Sequence, residues 1–276
     1  LSVAFAKLEP LFMRWYLYLL ALFLLTSGVQ AAPAEPCKLR MSAETDFPPH
    51  LIQQDQHWTG LSVELMQKLA TKVGCELVFI NSPWLRALQL SEAGELDVLS
   101  HLSYNAERQS HFAFIGPHHI EAIYLIGAPN LPPLHNLTEL TETVDLGRIA
   151  ALHGAYYGEQ FSQLMQSPNF ARQLVSISSI QDKLALLRAN RVNAILEDIS
   201  VLRYWQQHSY PQAEQYQPLL KVYESPVYFG FSKTSLTPGQ ITALANAWQQ
   251  LHEQGELAQI YQKYQLDNSS QLAPSP

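Results

Sequence analysis

The sequence predicts an α/β fold with mixed, mostly parallel sheets. Short apolar runs suited to buried strands alternate with helices that are apolar along one face. The first part of the chain has the order β-α-β-α-β, and a second α/β unit begins near residue 148, after a proline-rich stretch. This alternation favours parallel strands joined by right-handed crossovers.

The first unit is delimited by glycines that can end helices. Its predicted elements are a strand at 38–41, a helix at 61–73 ended by Gly74, a strand at 76–80, a helix through 88–90 ended by Gly94 and a strand at 96–99. Asn105 then caps a short helix that carries Glu107 and Arg108. A cation there opposes the helix dipole, so Arg108 needs an anionic partner. The alternative is a surface arginine paired with Glu107.

The second unit repeats the alternation. Its predicted elements are a strand at 148–152, a helix at 158–165, a strand at 174–177, a helix with Ser179 as N-cap and a strand at 192–196. An extended segment follows at 222–231, and Thr237 and Pro238 open a helix that ends at Gly255. Since the second unit has no sheet left for the final helices to cover, we expect them to pack on the first.

Composition limits the functional classes. A net charge of -7 with few basic clusters predicts no nucleic-acid partner. Cys37 and Cys75 each precede a predicted strand, and in neighbouring parallel strands they would lie at the same end of the sheet. In an oxidising compartment these positions predict a disulfide, with two unpaired thiols as the alternative.

The N-terminal residues predict export. Met13 and Arg14 precede an apolar run of eleven residues and a small-residue site that ends at Ala31. This pattern indicates a signal peptide over residues 1–31 with a start at Met13, and a periplasmic mature protein. A retained membrane anchor is the alternative. A polar tail at 269–276 is expected to be disordered.

A set of motifs carries a family resemblance. In order, they are the Pro48-Pro49 loop, the segment from Trp58 to Glu64, Trp84, the segment from Gly94 to Val98, the segment from Asn105 to Phe114, and the closing segment from Gly255 to Tyr264. The set resembles the family 3 bacterial extracellular solute-binding proteins, which are the polar amino-acid receptors of ABC importers. The resemblance implies a type II periplasmic binding protein, in which two lobes joined by two hinge strands close on a ligand.

The resemblance also implies lobe boundaries and partners. The first lobe would comprise residues 32–122 and 227–268, and the second lobe residues 123–226. The implied partners are a small-molecule ligand, most simply an amino acid, and the membrane permease of an ABC importer, with the receptor itself a monomer. No cofactor is expected.

The implied ligand-binding residues combine a cation, acids, a turn and aromatic rings. Arg108 would hold an α-carboxylate, assisted by Ser103 and by the backbone amides of the Gly154 turn. Asp198 would receive the α-ammonium group. Phe47 and Trp58 would pack on the ligand side chain. Glu44 and Asp46 lie in the loop that would favour a cationic ligand, whereas Tyr156 would suit an aromatic one.

Other functions remain alternatives. A scaffold-derived enzyme, such as a cyclohexadienyl dehydratase, needs a cleft acid, and the spacing selects none among Glu44, Glu197 and Asp198. A free-standing sensor of the same fold would bind ligand without feeding a transporter. His118 and His119 with His101 or His153 lack the spacing of a tetrahedral metal site, so no metal is expected.

Overall fold

The computed structural model describes residues 36–44, 47–132, 134–142 and 146–265. The predicted signal peptide at 1–31 with Met13, the acid Asp46 and the predicted tail at 269–276 lie outside the described residues. Within the described ranges, no helix is both long enough and apolar enough to cross a membrane.

Ten strands lie within the described residues. They are β1 Lys38–Ala43, β2 Ile52–Gln54, β3 His57–Thr59, β4 Glu76–Asn81, β5 Val98–Ser103, β6 Phe112–Gly127, β7 Ile149–Leu152, β8 Leu174–Ile177, β9 Ala194–Asp198 and β10 Gln217–Ser232.

Ten α-helices and one 3-10 turn at Ala213–Gln215 are described with them. The helices are α1 Leu61–Lys72, α2 Trp84–Glu92, α3 Ala106–His111, α4 Glu139–Glu142, α5 Glu159–Leu164, α6 Pro168–Ala171, α7 Asp182–Arg188, α8 Ile199–Gln207, α9 Pro238–Glu253 and α10 Ala258–Lys263.

Eight strands form one mixed sheet in the order β4-β1-β5-β10-β6-β9-β7-β8. At one end β1 pairs in parallel with β4 and β5, and at the other β7 pairs in parallel with β8 and β9. We call β4, β1 and β5 the first half of the sheet, and β9, β7 and β8 the second half. The predicted α/β class with parallel strands is confirmed.

Two long antiparallel strands lie between the halves. β6 and β10 each have 16 residues and pair with each other along most of their length. β10 also pairs with β5 of the first half, and β6 with β9 of the second. The predicted lobe boundaries, 122/123 and 226/227, fall inside these strands. The boundaries therefore stay a prediction.

The C-terminal helices pack on the first half. α9 and α10 contact α1, and Lys263 and Tyr264 both bind the carboxylate of Glu64 on α1. α9 begins with a capping box, in which Thr237 and Gln240 satisfy each other's backbone N–H groups. The final helices therefore pack on the first part of the chain, as predicted.

The predicted disulfide is present. Cys37 and Cys75 are bonded, with 38 residues of separation, and they lie just before the paired strands β1 and β4. The parallel register brings Lys38 opposite Glu76, so the preceding cysteines are also neighbours.

Several element limits differ from the sequence prediction, and two of these differences have a clear cause in the structure. β5 continues to Ser103, where we predicted an end at Leu99, because β10 pairs with it as far as Ser103. The predicted N-cap at Ser179 is wrong, since α7 begins only at Asp182. The physical reason is that Ile180 N–H donates to Glu44, while the Ser179 hydroxyl accepts from Gln181 N–H outside the helix.

Candidate functional site

A cavity of about 80 Å³ is lined by several buried polar and charged side chains. Residues that line it lie in or just after the carboxyl-terminal parts of β1, β5, β7 and β9, each of which has at least one parallel neighbour. Ligands in open α/β sheets bind at the carboxyl ends of such strands. The volume is enough for several water molecules.

Arg108 is a cation in the wall of this cavity. Its side chain is buried, its backbone N–H donates to the Asn105 cap, and its guanidinium donates to Ser103 O at 3.0 Å and Gly154 O at 2.9 Å. Burial lowers the pKa of Arg108, and the negative charge of Glu121 opposes this effect. A guanidinium has five N–H donors, of which these bonds use two. The surface-arginine alternative does not agree with this burial.

Glu44 connects the two halves of the sheet. Its carboxylate accepts from Trp84 N–H at 3.0 Å, at the start of α2, and from Ile180 N–H at 2.8 Å, before α7. Burial raises the pKa of Glu44, although hydrogen bonds from Ser179, Ile180 and Trp84 act in the opposite direction. The side chain that we predicted to contact a cationic ligand is therefore bound to backbone amides.

Glu121 lines the cavity and was not predicted. It lies on β6, and its Oε1 accepts from the Ser103 hydroxyl at 2.5 Å, while Oε2 lies 3.6 Å from His101 Nε2. It is buried and close enough to Arg108 to affect that residue electrostatically. In the sequence it stands in an apolar strand without a motif, so only the pairing of β6 at the centre of the sheet reveals its position.

Asp198 is the last residue of β9 and the N-cap of α8. Its Oδ1 accepts from Ser200 N–H at 2.7 Å, and its Oδ2 accepts from Ala122 N–H at 3.2 Å and lies 3.3 Å from His119 Nε2. Burial alone would raise the pKa of Asp198, but the hydrogen bonds from His119 and Ser200 outweigh it and lower the pKa. Asp198 is thus an ionised acid with several partners already in place.

A buried ion pair completes the charged lining. Lys183 Nζ lies 2.9 Å from Glu197 Oε2, and Glu197 Oε1 accepts from Asp198 N–H. Burial would lower the pKa of Lys183, but the charge of Glu197 outweighs it and raises the pKa. Lys183 was not predicted, because it lies on α7 and reaches the cleft only through the packing of that helix on β9.

Some of the predicted aromatic and turn residues line the cavity, and others do not. Phe47 and Tyr156 line the cavity, whereas Trp58 does not, and instead lies against Phe79 with ring centroids 5.9 Å apart. Gly154 has φ +76, and its carbonyl accepts from Arg108. The sequence had predicted ligand contact through the amides of this turn; the observed bond involves its carbonyl.

Four histidines lie together beside the cavity, although no spacing in the sequence groups all four. They are His50, His101, His118 and His119, and His50 and His118 are fully buried. Burial, reinforced by the neighbouring histidines, holds the pKa of His50 and of His118 well below the ordinary value. These two imidazoles are therefore neutral at pH 7.

Comparison with known proteins identifies the class. The model of the bacterial extracellular solute-binding proteins, family 3, matches residues 39–267. The chain belongs to this family, and the resemblance found in the sequence is confirmed.

Individual relatives are distant. A "Probable histidine-binding protein" of Campylobacter jejuni is 21% identical over 164 residues, which cover 58% of this chain and 59% of that protein. The match thus spans less than two thirds of that relative's length.

Solved structures show the same fold. An ancestral arginine-binding protein bound to arginine has a TM-score of 0.70 at 18% identity, covering 82% of this chain and 97% of that one. A histidine kinase sensor domain with similarity to periplasmic binding proteins also has a TM-score of 0.70, at 17% identity, covering 82% and 95%. The two-lobe α/β fold of periplasmic binding proteins is therefore established for this chain.

Proposed function

We propose that this protein is a periplasmic receptor that binds a small zwitterion, most simply a polar amino acid, and delivers it to an ABC importer. The observation that carries the proposal is a cavity between the two halves of the sheet, lined by one arginine and by several carboxylates. A zwitterion requires a fixed cation and a fixed anion in a desolvated site. Solved structures of the same fold include an arginine-binding protein and the substrate-binding protein of an amino acid ABC transporter, which supports the same class of ligand.

In this proposal Arg108 holds the carboxylate of the ligand. Its planar guanidinium can donate two parallel hydrogen bonds to a carboxylate, and burial strengthens these bonds. Ser103 orients Glu121 through their hydrogen bond. Phe47 and Tyr156 also line the cavity, and the ligand side chain would pack on their rings.

Two acids are candidates for the ammonium group. Asp198 is the residue that the family resemblance favours, but three groups already contact its oxygens. Within the described part of the chain, Glu121 accepts one hydrogen bond, from Ser103, and its other oxygen makes only a longer contact with His101. We therefore assign the ammonium group to Glu121 together with Asp198.

A thermal-shift screen against amino acids and small dicarboxylates tests this function. Ligand at a thousand times its dissociation constant adds about 4 kcal/mol to the free energy of unfolding, which raises Tm by several degrees. Arg108→Ala removes both the charge and the fork, so affinity should fall by roughly 30-fold to several thousand-fold, or about 2–5 kcal/mol. Arg86→Ala, at an exposed position on α2, is the matched control.

The screen has two results that contradict the proposal. One is the absence of a shift with every ligand, and the other is a shift that Arg108→Ala leaves unchanged. Delivery to an importer is tested separately, by uptake of the labelled ligand in cells with and without the gene. Equal uptake in both would remove the transport part of the proposal and leave a receptor of another kind.

A further inference from the structure

A cluster of imidazoles borders the cleft. The proposed amino-acid site uses none of these rings and shares with them only the adjoining carboxylates of Asp198 and Glu121. The ring centroid of His50 lies 4.8 Å from that of His101 and 4.7 Å from that of His119. The ring centroids of His101 and His119 are 5.8 Å apart. We call these three residues the histidine cluster. They come from the loop after β1, from β5 and from β6, so the fold alone brings them together.

Two carboxylates adjoin the histidine cluster. Asp198 Oδ2 lies 3.3 Å from His119 Nε2, and Glu121 Oε2 lies 3.6 Å from His101 Nε2. In the set His50, His119 and Asp198, one potential ligand atom of each residue lies within 4.8 Å of the others. The same holds for His101, Glu121 and Asp198. Asp198 belongs to both sets, so five potential ligands surround one region.

We propose that the histidine cluster, with Asp198 and Glu121, is a binding site for a divalent transition-metal ion such as Zn²⁺. Imidazole nitrogen with carboxylate oxygen suits zinc, nickel, copper and iron, whereas calcium and magnesium prefer oxygen ligands alone. The set His50, His119 and Asp198 supplies three protein ligands, the number found in zinc sites that keep a position open.

The hydrogen-bond pattern supports ligation. His50 Nε2 lies 3.2 Å from Ser200 Oγ, while His50 Nδ1 has no hydrogen-bond partner among the described residues. A ligating histidine commonly uses one ring nitrogen for the metal and the other for such an orienting bond. Neither ring nitrogen of His101 has a hydrogen bond among the described residues. The buried rings therefore have nitrogen atoms that a metal would satisfy.

Metal binding requires a small contraction. Zinc–nitrogen bonds of about 2.0–2.1 Å place tetrahedral ligand atoms about 3.4 Å apart, closer than the 4.8 Å limit within which these atoms lie. Side-chain rotation accounts for a difference of this size. His101, Glu121 and Asp198 line the cavity, so an ion would enter from the cleft.

Zinc titration of the purified protein, freed of metal with a chelator, tests the proposal. We expect one Zn²⁺ per chain by equilibrium dialysis, and Co²⁺ bound at the same site should give the visible absorption typical of imidazole coordination. His119→Gln and His50→Asn should each weaken Zn²⁺ binding at least about 100-fold, since loss of an outer-sphere partner alone costs 10- to 100-fold. Asp198→Asn should have the same effect, and asparagine still serves as an N-cap.

His118→Gln is the matched control. Like His119, its neighbour in the sequence, His118 is buried. Its ring is stacked on Phe229, and it belongs to neither ligand set. The control should bind Zn²⁺ as the wild type does. Absence of Zn²⁺ binding by the wild type overturns the proposal, as does equal binding by all variants or equal loss in His118→Gln. Circular dichroism identifies any variant that fails to fold. Zinc binding by the wild type tests the proposal even if such a variant has to be set aside.

The metal proposal and the amino-acid proposal can fail separately. The amino-acid screen is run with chelator and with Zn²⁺, and the zinc titration is run without amino acids. Zinc binding with no amino-acid shift in either condition contradicts only the proposed function. An amino-acid shift in chelator, with no zinc binding, contradicts only the metal site.

Discussion

At the scale of single residues, the Arg40–Asp97 pair joins β1 to the start of β5. Asp97 accepts from Arg40 backbone N–H at 2.8 Å, from Nε at 2.9 Å and from Nη2 at 2.7 Å. Burial alone would raise the pKa of Asp97, but the hydrogen bonds from the side chain and the backbone of Arg40 lower it. The free energy of unfolding should therefore depend on pH through this pair, which does not line the cavity.

We predict that Asp97→Asn lowers the free energy of unfolding at neutral pH by about 1–2 kcal/mol, since Arg40 is partly exposed to solvent. Because the folded-state pKa is lowered, the ionised form stabilises the fold above the unfolded value of about 3.9, and this contribution is lost as pH falls below it. Urea unfolding at several pH values measures the difference. Asp55→Asn, at an exposed turn, should show no difference, and a wild-type advantage unchanged down to pH 3 would contradict the explanation.

At the scale of elements, the start of α1 depends on the loop that carries His50. The N–H groups of Leu61 and Ser62 donate to Pro49 O and His50 O, so the loop satisfies amides that a helix start leaves unpaired. Gly60 makes this close approach with φ +117, and a Cβ there would lie 2.4 Å from His50 O. The backbone thus fixes the position of His50 in the histidine cluster.

We predict that Gly60→Ala lowers the free energy of unfolding by at least about 2 kcal/mol, because it combines a backbone clash with an unfavourable φ. Gly239→Ala is the matched control: a Cβ there meets nothing within 4 Å in α9, and alanine should be neutral or stabilise by up to about 1 kcal/mol. Chemical denaturation compares the two. Equal stability of both variants would contradict this account of the loop.

At the scale of the whole molecule, β6 and β10 join the parts of the sheet. Both halves pair with these strands, and the cavity is lined from both. Glu44, Arg108 and His50 add polar bonds between groups distant in sequence, to Ile180, Gly154 and Ser200. Charged groups are therefore held at the cavity by the same contacts that connect the halves.

The disulfide contributes to the stability of the whole chain. In the chain-entropy model, closure of a loop of 38 residues stabilises the folded state by about 4 kcal/mol. We predict a loss of that order in the double variant Cys37→Ser and Cys75→Ser, measured by urea unfolding. Adding reductant to the wild type should give a similar loss, and should leave the double variant unchanged. A double variant as stable as the oxidised wild type would contradict the estimate.

Local signals in the sequence determined where several helices begin and end. Glycines at 74, 94 and 255 adopt positive φ where helix ends were predicted, and Asn105 and Thr237 act as N-caps. These features depend on neighbouring residues, so a reading of the sequence can find them. The family and the disulfide were also predicted, the first from ordered motifs and the second from the positions of two cysteines before strands.

Only the tertiary structure decided which polar groups meet. Glu121, Lys183 and His50 have no motif. Glu121 and Lys183 reach the cavity through the pairing of β6 and the packing of α7. The loop before α1 brings His50 to the histidine cluster beside the cavity. Ser179 lost its predicted capping role to a contact between Glu44 and Ile180, residues 136 positions apart. Local propensity determined where elements begin and end, whereas long-range strand pairing determined the chemistry between them.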